Sequence, residues 1–322
     1  MKNVLITVSS FSARCVTGCK LLRDNQYNLI FKNSVNHLIA SESDELRASI
    51  DAVIAGTDCY DASVFSLLPK LKIISRFGTG VDNIDTDAAK KSGIVVNNAR
   101  GINANAVAEF IIGLIFSGLR NIPGNHMDMQ NGYWGYSLGN ELNGKRVGLL
   151  GFGNIAKTLV KRLSGFEIEI LAYDKNPDHE VAEKMAVKFV SVDDIFMQSN
   201  VIVVLLPYTS SLENFISHKY LSMMRNGALL INAARGKLID ERALLQMIDE
   251  RNVFSALDVF QHEPLPQFSP LLHSRNIITT PHIAAATVES YHQTGIHTAR
   301  SVIDFFDGKM IDNILQSLKR RK

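Results

Sequence analysis

The stretch Lys145-Arg146-Val147-Gly148-Leu149-Leu150-Gly151-Phe152-Gly153-Asn154-Ile155-Ala156 has residue types and spacing that could do chemistry. An apolar run ends at Leu150 and a glycine follows at once. Gly151 permits a tight turn, and Gly153 lets backbone approach a ligand closely. Ala156 stands where a small residue allows a helix to pack close to a strand. A helical pattern follows through Ala156, Leu159, Val160 and Leu163. Its first N–H groups would point at a pyrophosphate lying over the turn. The next apolar run ends in Ala172-Tyr173-Asp174, with Asp174 standing 23 positions after Gly151. An acid at that distance meets ribose hydroxyls and repels a 2′-phosphate, so the pattern predicts NAD over NADP. A bare glycine turn is the plainer reading of the string. The strand before it and the helix after it argue for a dinucleotide.

These residues need a scaffold, and the chain supplies alternating apolar runs and helix-like segments. Val4–Val8, Asp51–Ala55, Leu71–Ser75, Val147–Leu150, Glu169–Tyr173, Val201–Leu206, Ala228–Asn232 and Ile277–Thr280 read as strands. Their runs are continuous rather than alternating, which suits strands covered on both faces. An α/β fold with parallel sheets follows from strand–helix alternation. Two long helical patterns, from near Asn103 and from about Ala286 to Phe306, bracket the glycine motif. A discontinuous organisation follows. Residues 100–286 would form a dinucleotide-binding Rossmann domain. Residues 1–99 and 287–322 would form a second, substrate-binding domain.

Composition excludes other classes. The 322 residues are 46% hydrophobic, enough for sizeable cores in about two domains. A net charge of +2 gives no reason to expect nucleic acid. The basic run Leu318-Lys319-Arg320-Arg321-Lys322 reads as a solvated tail. Cys15, Cys19 and Cys59 form no CxxC pair and are too few for a disulfide framework, so neither zinc nor an oxidising compartment is expected. The apolar run after Met1 is too short for a signal-peptide core, and no run reaches the length of a membrane span. The expected compartment is the cytoplasm.

Several motifs in order resemble one family. They are Ile74-Ser75-Arg76-Phe77-Gly78-Thr79-Gly80-Val81-Asp82-Asn83-Ile84-Asp85, Asn103-Ala104-Asn105-Ala106-Val107-Ala108-Glu109-Phe110, Trp134, and Glu141-Leu142-Asn143-Gly144-Lys145 with the glycine motif. Then follow Ile231-Asn232-Ala233-Ala234-Arg235-Gly236, Leu257-Asp258-Val259-Phe260 with Glu263-Pro264, and Thr280-Pro281-His282. From about residue 50 to residue 290 the chain resembles the D-2-hydroxyacid dehydrogenases, especially their phosphoglycerate dehydrogenase-like branch. The resemblance implies two Rossmann-like domains flanking a cleft, with hinges near Asn98–Gly101 and Ala284–Ala286. It also implies a homodimer.

Hydride transfer at C2 of a hydroxy acid needs a cation for the carboxylate, a base for the hydroxyl proton, and a group that orients the base. Arg235, just past the run Ala228–Asn232, has a fork that binds a carboxylate and polarises the C2 oxygen. His282 would take the hydroxyl proton in oxidation and return it in reduction, an unperturbed imidazole titrating near ~6.5. Glu263 would accept a hydrogen bond from that ring, fixing its tautomer and stabilising the imidazolium. The other eight histidines read as structural or merely exposed. A metal at His262, Glu263 and His282 is not expected. By resemblance, Asn154 and Ile155 donate backbone N–H groups to the pyrophosphate. Thr79 and Ala233 line the cofactor, and Asp258 meets the nicotinamide carboxamide. The backbone around Gly78, Thr79 and Gly80 would hold the substrate carboxylate.

Three departures bear on specificity. Ala284-Ala285-Ala286 replaces a segment often rich in glycine, and Leu205-Leu206 replaces a pair that often includes a polar residue before Pro207. Arg100 stands where proline is common, while Ala55-Gly56-Thr57-Asp58-Cys59 lacks the basic side chains expected for a phosphorylated substrate. Arg100, with Arg76, would supply that charge if the acid is 3-phosphoglycerate. Otherwise the acid is small and unphosphorylated, such as glyoxylate or hydroxypyruvate. The chain ends soon after its last helix, so no regulatory domain is expected there. An NAD-sensing corepressor-like protein is the alternative of another class, because such proteins keep the Arg–Glu–His set. They usually carry long tails for which this chain has no room. A formate dehydrogenase-like enzyme would have glutamine in place of Glu263.

Overall fold

A computed structural model describes residues 1–251 and 253–315, and the basic run at 318–322 lies outside them. The chain divides into two compact units, one of residues 1–103 with 286–315 and one of residues 104–285. Each holds a sheet whose strand pairs are all parallel.

The first unit contains β1 (Lys2–Ile6), β2 (Tyr27–Phe31), β3 (Ile50–Ala55), β4 (Ile73–Arg76) and β5 (Val95–Asn98), in the spatial order β2-β1-β3-β4-β5. Along β1 and β3, successive residues enter opposite layers. Leu5, Ile50 and Val53 join one core, while Val4, Ile6, Ala52 and Ile54 join the other. The helix Val288–Phe306 covers the second layer and packs on the helix Val16–Asp24. Its buried face is made of small residues, including Thr294, Gly295, Thr298 and Ala299. The approach is close: a Cβ on Gly18 would stand 2.6 Å from the Gly295 carbonyl oxygen.

The second unit contains β6 (Arg146–Leu150), β7 (Glu169–Tyr173), β8 (Val187–Phe189), β9 (Val201–Val204), β10 (Leu229–Asn232), β11 (Phe254–Leu257) and β12 (Ile277–Thr279). Their order is β12-β11-β10-β9-β6-β7-β8. One face packs Val147, Leu149, Val203 and Ile231 with the helices Ala104–Leu119 and Asn154–Leu163. The other packs Leu150, Ile202, Val204 and Leu230 with Val192–Gln198 and Glu241–Arg251. The order reverses between β6 and β9, and ligands of such sheets bind beyond the carboxyl ends of the strands there. Gly151, Arg235, Asp258 and His282 all follow such strand ends.

Four strands carry weaker signals than the others. β2 and β8 are edge strands with polar residues among the apolar ones. β5 ends in two buried asparagines, and β11 is the short run Phe254-Ser255-Ala256-Leu257. Among the described residues, no single helix is long and apolar enough to cross a membrane.

Replacing Gly18 by alanine should test the tightness of the first unit. The added methyl meets backbone, so overpacking outweighs alanine's better helix propensity. Stability should fall by about 1–3 kcal/mol, read as a lower midpoint in thermal unfolding. An unchanged or raised midpoint would show that the two helices separate at little cost.

Candidate active site

The turn after β6 forms a cradle. Gly151 has φ +103°, and a Cβ there would stand 2.8 Å from the Leu205 carbonyl oxygen, so no other residue fits without strain. A Cβ on Gly153 would meet nothing within 4 Å, so the space beside it is open for a ligand. The helix Asn154–Leu163 starts directly behind, with no side chain capping its N-terminus and no acid in its first turn. The N–H groups of Asn154 and Ile155 therefore stand at the positive end of that helix. Asp174, at the end of β7, accepts from the Phe152 N–H (2.8 Å) and the Asn176 N–H (2.9 Å). The acid is thereby tied to the glycine turn, and each oxygen keeps a lone pair for a hydroxyl. Ala156 is fully buried against the sheet. These residues fit a dinucleotide.

The structure brings Arg235, Glu263 and His282 together within the second unit. After β10, the buried Asn232 side chain donates to the Arg235 carbonyl (2.9 Å) and accepts from the Ala234 N–H (3.1 Å). That pair of bonds shapes the turn Asn232–Arg235, with Ala233 half-buried inside it. Gly236 then lies on the Phe260 backbone, where a Cβ would fall 1.9 Å from its carbonyl carbon. This contact keeps Arg235 beside the segment that carries Glu263.

One Glu263 oxygen accepts from the Phe260 N–H at 3.0 Å, and the other lies 2.7 Å from His282 Nδ1. An ionised carboxylate can only accept, so the proton of that bond sits on Nδ1 and leaves Nε2 for a substrate. Burial raises the Glu263 pKa. Hydrogen bonds from His282 and the Phe260 N–H, with the charges of His282 and Arg235, outweigh it and hold the carboxyl below its usual range.

His282 itself is placed by Asp258. The Asp258 side chain is fully buried at the end of β11. Its carboxylate accepts from Thr280 Oγ1 (2.6 Å), the Ile283 N–H (2.8 Å) and the Ala284 N–H (2.9 Å), while its carbonyl accepts from the His282 N–H (2.8 Å). Sequence reasoning assigned Asp258 only a contact with the cofactor and missed this use. His282 takes up φ +53°, a left-handed conformation. Among the described residues, no group of three or more His, Cys, Asp or Glu side chains could hold a metal ion.

Of the residues expected to bind substrate, Arg235 lies in the second unit, while Gly78, Thr79, Gly80 and Arg100 lie in the first, each after a strand end. Gly78 follows β4, but its N–H is engaged by the Arg76 carbonyl at 2.9 Å. Among the described residues, the N–H groups of Thr79 and Gly80 have no backbone acceptor, so these two are the donors available to an anion. Arg76 Nη1 donates to the Phe77 carbonyl. Arg100 is exposed in the turn after β5.

The sequence profile of a family described as D-isomer specific 2-hydroxyacid dehydrogenase, NAD binding domain, matches residues 112–284. The chain belongs to the D-2-hydroxyacid dehydrogenase family. Its second unit is the family's NAD-binding domain. The D-3-phosphoglycerate dehydrogenase of Archaeoglobus fulgidus is 39% identical over 264 residues, covering 81% of this chain and 50% of that protein. The hydroxypyruvate reductase of Thermotoga maritima is 35% identical, covering 83% of this chain and 88% of that one. The chain thus spans about half the length of the first relative and most of the second. In fold it matches a solved D-lactate dehydrogenase from Aquifex aeolicus, complexed with NAD and lactic acid, with TM-score 0.86 and 23% identity over 98% of this chain and 99% of that one.

The lowered Glu263 pKa fixes a sign. A group depressed in the folded state adds stability above its unfolded pKa, and that contribution is lost as pH falls through the folded value. Comparing wild type with Glu263→Gln by urea unfolding, from neutral pH down past about pH 4, should show a steady difference that shrinks on acidification. A difference independent of pH would mean that the carboxylate gains nothing from its partners.

Proposed function

We propose that this protein is an NAD-dependent oxidoreductase that interconverts a small D-2-hydroxy acid and its 2-oxo acid. The observation that carries the proposal is the 2.7 Å contact of Glu263 with His282 Nδ1, made beside Arg235 in an NAD-binding domain. Bound NAD supplies the hydride acceptor and, reduced, the donor. Gly151, Gly153, Asn154 and Ile155 would hold its pyrophosphate and Asp174 its ribose hydroxyls. Thr79 and Ala233 would line it. Asp258, with no exposed surface, holds the segment from Thr280 to Ala284 rather than offering an oxygen to the carboxamide.

The protein groups then act on the substrate. Arg235 binds the carboxylate and polarises the C2 oxygen, aided by the N–H groups of the Gly78–Gly80 loop. In oxidation His282 Nε2 takes the C2 hydroxyl proton. The imidazolium so formed is stabilised by the carboxylate of Glu263 through Nδ1–H. In reduction the same proton returns to the C2 oxygen. No metal is needed for either direction.

Two readings of the acid remain distinct. A phosphorylated acid such as 3-phosphoglycerate would draw on Arg100, with Arg76, at the ends of β5 and β4. An unphosphorylated acid, glyoxylate or hydroxypyruvate, is favoured by Asp58. Its carboxylate stands in the loop after β3 with one oxygen buried and, among the described residues, without a hydrogen-bond partner, a poor neighbour for a dianion. The three free cysteines suit a reducing compartment, the cytoplasm, which cell fractionation would check.

A homodimer is supported by the segment from Ile122 to Leu138. It exposes Ile122, Met127, Met129, Tyr133, Trp134, Tyr136 and Leu138, with Trp134 at 88% and Leu138 at 92% exposure. Monomers rarely leave so many large apolar side chains together in water. Sedimentation should give a dimer for wild type and a monomer after Trp134→Glu with Leu138→Glu. A monomeric wild type would refute this.

NADH consumption with a panel of 2-oxo acids tests the reaction. His282→Ala should cut kcat by roughly 100-fold or more while NADH still binds, the scale of a lost general acid–base. Binding without turnover on any acid would favour the corepressor-like alternative instead. In the same panel, Arg100→Ala should raise KM only for the phosphorylated acid if that acid is the substrate. Equal effects on all acids would leave the unphosphorylated reading.

A further inference from the structure

The substrate-carboxylate loop of the first unit is held from behind by a chain of hydrogen bonds that ends on a histidine. The Ala99 N–H donates to the Gly78 carbonyl at 2.9 Å, and Asn98 Nδ2 donates to the Thr79 carbonyl at 2.6 Å. Asn98 is only 4% exposed, and its buried Oδ1 has no hydrogen-bond partner among the described residues. The amide could not turn over, since that would set two oxygens against each other at the same distance. It therefore keeps an unsatisfied oxygen in order to hold Thr79. The Asn98 carbonyl in turn lies 3.1 Å from His297 Nε2. A carbonyl only accepts, so that ring nitrogen carries the proton.

His297 sits on the helix Val288–Phe306, one turn before Ser301. Ser301 Oγ accepts from Asn97 Nδ2 at 2.9 Å. Residues i and i+4 of one helix face thus grip the two asparagines that end β5. The two grips differ in consequence. Asn97 leads to the helix and, at 3.5 Å, to the Asp312 carbonyl in the segment after it, whereas Asn98 leads on to Thr79. Holding the carbonyls of Gly78 and Thr79 sets the peptide planes between residues 78 and 80. The same planes carry the Thr79 and Gly80 N–H groups.

We propose that His297, acting through Asn98, is a positioning residue for substrate: it sets the direction of the two N–H groups that receive the substrate carboxylate. The inference rests on the proposal that the Gly78–Gly80 loop binds that carboxylate. His297 acts through its contact with the Asn98 carbonyl. Its loss loosens the anion site without altering proton transfer, so binding suffers and chemistry does not.

Steady-state kinetics with the reactive 2-oxo acid, together with calorimetric binding of oxamate to the NADH complex, tests it. His297→Ala should raise KM for the acid and weaken oxamate binding by about tenfold each, with kcat and NADH affinity near wild type. His297→Gln, which keeps a donor, should recover most of the loss, and Asn98→Ala should reproduce it. Ser301→Ala, which cuts the neighbouring grip, should leave KM unchanged. His297→Met keeps bulk without a donor and replaces the alanine variant should that fail to accumulate. The proposal is overturned if the donor-free variants keep wild-type KM and oxamate affinity. It is equally overturned if Ser301→Ala matches them, because the effect is then general loosening. If wild type binds oxamate yet turns over no acid, the enzymatic reading fails while the binding comparison still decides the role of His297. A wild type that does neither overturns both.

Discussion

A carboxylate with no exposure to water organises the reacting end of the second unit. Asp258 accepts three hydrogen bonds from Thr280, Ile283 and Ala284, and its own carbonyl takes the His282 N–H. Burying a charge is costly unless donors replace the lost water. Here the donors all belong to the segment that follows β12. The cost of burial and the shape of that segment are therefore one matter: the loop folds around Asp258, because among the described residues only that segment donates to its carboxylate. His282 is carried along, its side chain delivered to Glu263.

The same logic recurs at each strand end. Asn232 folds the turn that presents Arg235, and Asp174 fastens the glycine turn through the Phe152 N–H. In the first unit Asn98 does this for Thr79. Short polar side chains at the carboxyl ends of parallel strands shape the neighbouring loop through its own backbone groups. The sheets supply rigid origins, and these residues turn position into direction. Gly236 adds a steric element, since only a residue without a side chain can lie against the Phe260 backbone next to Arg235.

Much of this was legible in the chain and some was not. The strongly apolar runs at β1, β3, β6, β7, β9 and β10 announced themselves, because strands buried on both faces must be apolar throughout. β2 and β8 lie at edges and escape that demand, and β5 closes on buried asparagines whose partners are far away in sequence. The glycine turn and Asp174 were readable from spacing alone, as local backbone geometry dictates both. Arg235, Glu263 and His282 were not. Their intervals carry no periodicity, and only resemblance to a family joined them. The anchoring role of Asp258 and the contact between His297 and Asn98 left no local trace, because each is made by tertiary packing. His297 looked like an ordinary helix residue. The Gly78 N–H looked available until the fold turned it toward Arg76.

The left-handed backbone of His282 has a meaning beyond geometry. Such a conformation costs a residue with a Cβ on the order of 1–2 kcal/mol, and asparagine or glycine occupy it more readily. Asp258 over-determines the loop, so the histidine is kept there against its own preference. Selection for durability and selection for turnover therefore point in opposite directions at this position. A lineage released from catalysis would drift toward asparagine or glycine at 282 and keep its fold, while one held to catalysis must retain the less comfortable residue.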